Sequence, residues 1–125
     1  MIDDLDALDL ATRAFERNLD DISPERLSLP TPCDQWDVRY LIAHVVGGNR
    51  FAALVLDGTP SSVAIDQIMS AVQVGDSPRD DFVSTSAEQR RRFRSPGALD
   101  GTVDHPLGTI STHRFLRFRI FDCTL

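Results

Sequence analysis

Apolar positions recur at helical spacing in four long stretches of the chain, and this pattern predicts the fold. In the first stretch, from about Asp3 to Asp20, an apolar residue returns every three or four positions, which is typical of a helix with one buried stripe. Further helices are predicted to begin near Asp37, Ser77 and Ser111. The region before Ser77 is less regular and leaves room for a short helix around Val63 to Val72.

Capping signals support two of these starts. Asp37 is a predicted N-cap, because its carboxylate can accept hydrogen bonds from the exposed N–H groups of the first turn. Trp36 before it and Leu41 after it are spaced for a hydrophobic staple. Ser77 followed by Pro78 is a second N-cap with proline at the first helical position. The second helix carries apolar residues around most of its circumference, so we expect it to be central.

Two breaks separate the third helix from the last. Pro96-Gly97 ends the third helix, and a small hairpin is predicted around His105 to Gly108. The elements together predict an all-α fold: a four-helix bundle with a short loop or hairpin before the last helix. The length of 125 residues fits a single domain, 1–125.

Charge and composition narrow the function classes. The formal net charge of −6 argues against a nucleic-acid partner. The arginine cluster of residues 90–94 is interpreted as a solvated helix face. No apolar run approaches the roughly 20 residues that span a membrane, and the acidic N-terminus is unlike a secretory signal. We therefore expect a cytoplasmic protein with no membrane partner.

His44 is the first candidate functional residue, because it lies on the apolar second helix. Gly47 and Gly48 follow it at three and four residues, on the same helical face. A glycine inside a helix costs roughly 1 kcal/mol relative to alanine, so the pair suggests that something other than a side chain fits beside His44. A neighbouring helix backbone and a metal ion are the two candidates. A hydrogen-bonded core histidine is the alternative for His44 itself.

Asp122 is the second candidate, because it lies on the apolar stripe of the last helix. A carboxylate there is costly unless it is paired or binds a metal. The alternative to metal binding is a salt bridge with an arginine such as Arg39 or Arg119. Imidazole and carboxylate groups from facing helices are common metal ligands, so His44 and Asp122 together predict a metal site.

The remaining candidates are weaker. His113 lies nine residues before Asp122, two and a half helical turns away, so the two cannot share a site on one straight helix. His105 lies in the predicted hairpin and could supply a further ligand. Cys33 is interpreted as a small buried apolar residue, with a thiol ligand or nucleophile as the alternative.

Most of the chain resembles a known family, and the resemblance is most specific in residues 30–58. The chain is similar to the actinobacterial mycothiol-dependent maleylpyruvate isomerase-like, metal-binding proteins of the DinB/YfiT-like bundles. The residues that carry the resemblance are Pro30-Thr31-Pro32-Cys33, Trp36-Asp37-Val38-Arg39, Leu41, His44-Val45, Gly47, Phe51 and Gly58.

The resemblance implies a divalent metal, zinc or nickel, with His44 and Asp122 as ligands. The family's third ligand is a histidine that would fall at position 126, so the resemblance implies a last helix that is incomplete. It also implies mycothiol as a thiol cofactor, which the metal would hold as a thiolate, and the chemistry of a thiol-dependent isomerase or transferase. The expected partners are a small-molecule thiol and its substrate.

Two alternatives remain beside this metal- and thiol-dependent reading. The first is a non-enzymatic, truncated bundle that acts as an interaction module or remnant, with homodimer formation through its uncovered apolar surface. The second is a metal-free core in which His44 is only hydrogen-bonded. If the metal- and thiol-dependent interpretation holds, loss of the third ligand would make this chain an inactive member of the family.

Overall fold

Five α-helices and one β-hairpin form the part of the chain that the structure describes. This computed structural model describes residues 3–20, 22–30, 37–70, 75 and 77–123. The helices are α1 (Asp4–Asp20), α2 (Val38–Leu56), α3 (Ser61–Met69), α4 (Pro78–Phe93) and α5 (Thr112–Cys123), and the hairpin consists of β1 (Thr102–His105) and β2 (Gly108–Ser111). The helical class and the hairpin before the last helix are confirmed. The short helix α3 is additional, so the fold is not a strict four-helix bundle.

The two predicted N-caps are present. Asp37 accepts a hydrogen bond at Oδ1 from the backbone N–H of Tyr40 at 2.8 Å, and the Ser77 hydroxyl accepts one from the N–H of Asp80 at 3.4 Å. Such caps typically contribute about 1 kcal/mol each. The predicted staple involves Trp36, which lies outside the described residues, so it stays a prediction.

The four long helices contact one another in a ring. α2 packs on α4, α4 on α1, α1 on α5, and α5 on α2. The short helix α3 packs mainly on α2. Seven of the nineteen residues of α2 are buried, which agrees with the expected central position. No helix of the described residues is long and apolar enough to cross a lipid bilayer.

The core consists of two apolar clusters at different levels of the bundle. One joins all five helices and the hairpin around Leu8, Ala52, Phe93, Phe115 and Leu116. The other joins α1, α2 and α4 around Leu19, Ile42, Val45, Val46 and Phe82. Each large side chain buried in this way contributes about 1.5–3 kcal/mol of transfer free energy, so the helices are held chiefly by their apolar stripes.

The hairpin is fastened to the rest of the fold from both faces. Val103 pairs with Ile110 in the antiparallel register, and both side chains are buried in the core. Asp104 accepts a hydrogen bond at Oδ2 from the N–H of Ser61 at 2.8 Å, which ties β1 to the first residue of α3. The position of His105, the last residue of β1, is therefore set relative to α3 and α5.

Candidate functional site

A cleft of about 510 Å³ opens between α2, α3, the hairpin and α5. This volume lies within the roughly 300–1,000 Å³ of small-molecule sites. Most of its wall is apolar and comes from Phe51, Ile65, Ile68, Met69, Phe115 and Phe118. Five side chains with polar groups also line it: Tyr40, His44, His105, Arg119 and Asp122. The cleft thus combines apolar walls with a few polar groups, as ligand sites do.

His44 and Asp122, the two residues singled out in the sequence, line this same cleft. His44 lies on α2 and is exposed, whereas Asp122 lies on α5 and is half-buried. Gly47 and Gly48 line the cleft next to His44. That the two side chains share a metal ion stays a prediction.

Asp122 forms an ion pair with Arg119, one of the two arginine partners considered for it in the sequence. Nη1 of Arg119 donates to Oδ2 of Asp122 at 2.5 Å. The side chain of Arg119 is only 4% exposed, against 28% for that of Asp122. The carboxylate is therefore held at the cleft by a cation that is itself buried.

The guanidinium of Arg119 is fixed by three helices. Its Nε donates to Oε1 of Gln89 on α4 at 2.7 Å. Its Nη2 donates to Oδ1 of Asn49 at 2.9 Å and to the carbonyl oxygen of Val45 at 3.4 Å, both on α2. A buried charge is tolerated only when it is paired and hydrogen-bonded, and this set of partners meets that requirement.

Gly48 makes room for this guanidinium. A Cβ atom at position 48 would lie 2.3 Å from Nη1 and 2.8 Å from Cζ of Arg119. The arginine could not easily move aside, because four partners hold it. The sequence-based hypothesis that something other than a side chain fits beside the glycine pair is therefore wrong at Gly48, where the guanidinium of Arg119 lies.

His105 enters the cleft from the hairpin. Its Nδ1 accepts a hydrogen bond from the backbone N–H of Leu107 at 3.1 Å. Its ring lies 5.6 Å from that of Phe118 and 5.9 Å from that of Phe115, measured between centroids. Burial lowers the pKa of His105 below its usual 6.5, and the charge of Arg114 lowers it further, whereas Asp104 opposes the shift. The imidazole is therefore neutral at neutral pH.

His113 lies away from the cleft, as its spacing from Asp122 predicted. Its Nε2 lies 2.5 Å from Oδ2 of Asp4 on α1, and Arg117 donates to the same oxygen at 3.1 Å. The hydrogen bond with His113, followed by that with Arg117, lowers the pKa of Asp4. His113 thus joins α5 to α1.

The side chains that the structure describes do not form a complete metal site. Within that part of the chain, no three histidine, cysteine, aspartate or glutamate side chains are grouped to hold a metal ion. The two predicted ligands, His44 and Asp122, line the cleft, and the charge of Arg119 next to Asp122 opposes a cation there. Cys33 lies outside the described residues, so its interpretation stays a prediction.

The arginine cluster of α4 is occupied by acidic partners. Arg90 and Arg94 pair with Asp9 of α1, at 3.6 Å and 2.6 Å. Arg92 pairs with Glu88 at 2.8 Å. The cluster therefore joins α4 to α1 as well as facing solvent.

Sequence reasoning missed the role of Gly48 and the extent of the Arg119 network. Arg119 precedes Asp122 by three residues, a spacing that places both on one helical face, and this was the available signal. The contacts with Asn49 and Gln89 have no comparable signal, because they join helices that are 70 and 30 residues apart in sequence.

Comparison with known proteins places this chain in one family. Residues 8–125 match the family model described as mycothiol maleylpyruvate isomerase N-terminal domain. Two uncharacterized proteins of Mycobacterium tuberculosis, MT0763 and Rv0738, are each 30% identical to this chain, over 97% of its length and 62% of theirs.

Two solved structures share the fold. Both are crystal structures of the mycothiol-dependent maleylpyruvate isomerase. The TM-score is 0.80 for a histidine-to-alanine mutant and 0.70 for the other structure. Each is 18% identical, and the match covers 96% of this chain and 56% of the other. The chain thus spans little more than half the length of these structures.

Proposed function

Because this chain belongs to the mycothiol maleylpyruvate isomerase N-terminal domain family, as the residues around His44 indicated, we propose that its cleft binds mycothiol and the substrate on which that thiol acts. The observation that carries the proposal is the cleft itself, with His44, His105 and Asp122 set among apolar walls. A cytoplasmic location and the chemistry of a thiol-dependent isomerase or transferase belong to the same proposal.

The walls and the polar groups have separate roles in this account. Phe51, Phe115 and Phe118 remove water from the bound molecules, which strengthens each polar contact in the cleft. His44 is exposed and lines the cleft, where an imidazole is suited to exchange a proton with a thiol. A thiol is reactive as its thiolate, so a base within reach favours the reactive form.

His44 and Asp122 are also the proposed ligands of a divalent metal, zinc or nickel. Imidazole and carboxylate are usual ligands of such ions, and the ion pair with Arg119 holds the carboxylate in place while its positive charge reduces the affinity for a cation. A metal bound there would favour the thiolate of the cofactor. Two protein ligands are fewer than the three usual in catalytic zinc sites, so the proposed affinity is weak, and the remaining positions go to solvent, the thiol or groups outside the described residues.

Thermal unfolding with added mycothiol, and separately with added zinc or nickel, tests the proposal. A ligand present at 100 times its Kd stabilises the folded state by about 2.7 kcal/mol. We expect stabilisation of the unmodified chain and of His113→Ala, whose side chain lies outside the cleft, but not of His44→Ala. Because His44 is exposed, its replacement should leave the fold intact.

The contrary outcomes are distinct. Equal stabilisation of all three proteins by the metal would place its ligands elsewhere. No stabilisation by mycothiol or metal in any of them would contradict the proposal and favour a non-enzymatic interaction module, which the oligomeric state in solution would then examine.

A further inference from the structure

We propose that His105 is a specificity-determining residue of the cleft, which donates its Nε2–H to a carboxylate oxygen of the bound substrate. The inference deepens the proposed function and rests on it, because it assumes that the cleft is the ligand site. It concerns a hairpin residue rather than the proposed metal ligands on α2 and α5.

The hairpin turn fixes the tautomer of His105. Nδ1 of His105 accepts a hydrogen bond from the N–H of Leu107 at 3.1 Å. A nitrogen that accepts carries no proton, so the neutral ring holds its proton on Nε2. The turn of the hairpin thereby fixes which edge of the imidazole donates.

Three phenylalanines fix the orientation of the His105 ring. The imidazole meets Phe51, Phe115 and Phe118 at centroid distances of 6.1, 5.9 and 5.6 Å. The first two arrangements are edge-on, with interplanar angles of 83° and 62°. All three phenylalanines line the cleft, so the ring is held within the cleft wall before any ligand arrives.

The Nε2–H group of His105 is available as a hydrogen-bond donor. Among the described residues, Nε2 of His105 makes no hydrogen bond, and the one buried side-chain polar atom without a partner is Nε2 of Gln89. The Nε2 atom of His105 is therefore accessible rather than sealed in the core. A donor that is oriented, accessible and set in an apolar wall is suited to a ligand oxygen.

The charged groups near His105 determine which kind of ligand acceptor is favoured there. The guanidinium of Arg114 lies 5.4 Å from the ring centroid of Phe118, next to His105. Its charge acts on the imidazole more strongly than the opposing charge of Asp104, whose carboxylate accepts a hydrogen bond from the N–H of Ser61. The carboxylate of Asp122 is already compensated by Arg119 at 2.5 Å. This end of the cleft therefore favours an anionic acceptor, and a carboxylate is the small anion that accepts one N–H most strongly.

The same tautomer separates His105 from metal binding. A metal at Nε2 would require the proton to move to Nδ1, and the hydrogen bond with Leu107 would be lost. His105 is therefore a donor to substrate and not the missing third metal ligand.

The test uses maleate as a small carboxylate probe and its uncharged diamide as the control ligand. His105→Phe keeps an aromatic ring against the three phenylalanines and removes the donor. His105→Gln places an amide N–H near the former Nε2. We expect His105→Phe to weaken maleate binding about 10-fold or more, as expected for one hydrogen bond to a charged group, and His105→Gln to recover most of the affinity. Diamide binding should change little.

Nitrogen-15 NMR of the imidazoles supplies a readout that needs no activity. We expect the Nε2–H tautomer for His105 and a shift of its Nε2 signal when maleate is added. An Nδ1–H tautomer would overturn the inference, as would equal maleate affinity in the unmodified chain and His105→Phe. If mycothiol still binds in that case, the proposed function stands without this role. If neither mycothiol nor maleate binds the unmodified chain, both fall.

Discussion

Charged residues are used in opposite ways on two sides of this molecule. The ion-paired face, where α1 meets α4 and α5, carries Arg79, Arg94 and Arg117, whose side chains are 44%, 45% and 69% exposed. Each pairs with an acid of α1. Among the described residues, the cleft has the pair of Arg119 with Asp122, and the side chain of this arginine is 4% exposed.

The difference shows where function is to be expected. Exposed pairs contribute about 0–1 kcal/mol each, so the dense charge of the ion-paired face adds modestly to stability. A buried arginine must have all its partners in place, and Arg119 obtains them from three helices. The cleft therefore has a rigid polar anchor, open volume and, in Nε2 of His105, a donor without a partner among the described residues, which the ion-paired face does not combine.

Replacing the two kinds of arginine should give the largest contrast. Arg119→Met should reduce the free energy of unfolding by about 3–5 kcal/mol, because it leaves buried groups unpaired. Arg94→Met should cost less than about 1 kcal/mol. Denaturant unfolding of both variants measures the difference, and similar losses would mean that the buried network does not distinguish the two sides.

Filling the space beside Arg119 should have the next largest effect. Gly48→Ala should destabilise by about 1–3 kcal/mol through overpacking, although alanine alone would favour the helix by roughly 1 kcal/mol. Gly101→Ala is the control, because its Cβ would lie 3.7 Å from its nearest neighbour, an ordinary contact.

The cause of the Gly48 effect is open to a direct check. In the background of Arg119→Met, Gly48→Ala should cost much less, because the clashing guanidinium is gone and effects of contacting residues are not additive. An unchanged cost in the double variant would show that the clash lies with another group.

Acid should reveal a smaller difference. The pKa of His105 is lowered in the folded state below its usual 6.5, so the unfolded chain binds more protons just below that pH. Stability from this group is present above pH 6.5 and is lost as pH falls through the window between 6.5 and the lower folded value. The unmodified chain should therefore lose more stability than His105→Phe between pH 7.5 and 5 in parallel unfolding curves. Equal slopes would contradict the burial of the ring.

Local signals explain why most of the fold was predictable. The caps at Asp37 and Ser77 and the turn before Gly108 depend on neighbours in sequence, and Gly108 has a φ of +112° that favours glycine. The helical stripes likewise follow from spacing. The additional helix α3 was anticipated only in outline, because its short apolar pattern fits several boundaries.

The site was predictable only in part, because its geometry depends on distant contacts. His44 and Asp122 stood out as polar residues on apolar helices, and they line one cleft. The contact of Arg119 with Gly48 joins two helices that are far apart in sequence, so residue spacing could not reveal this contact. The tautomer of His105 depends on a hydrogen bond within the turn, which the residue types alone do not specify.

The most direct test of the account is NMR of the protein with nitrogen-15-labelled histidine, titrated with mycothiol and then with zinc. The three histidines report on different places: His44 and His105 in the cleft, and His113 beside Asp4 on the ion-paired face. The account predicts that the imidazole signals of His44 and His105 shift on addition of mycothiol, that zinc changes His44 most, and that His113 stays unchanged throughout. Shifts confined to His113, or no shift at any of the three, would contradict the claim that the cleft is the functional site.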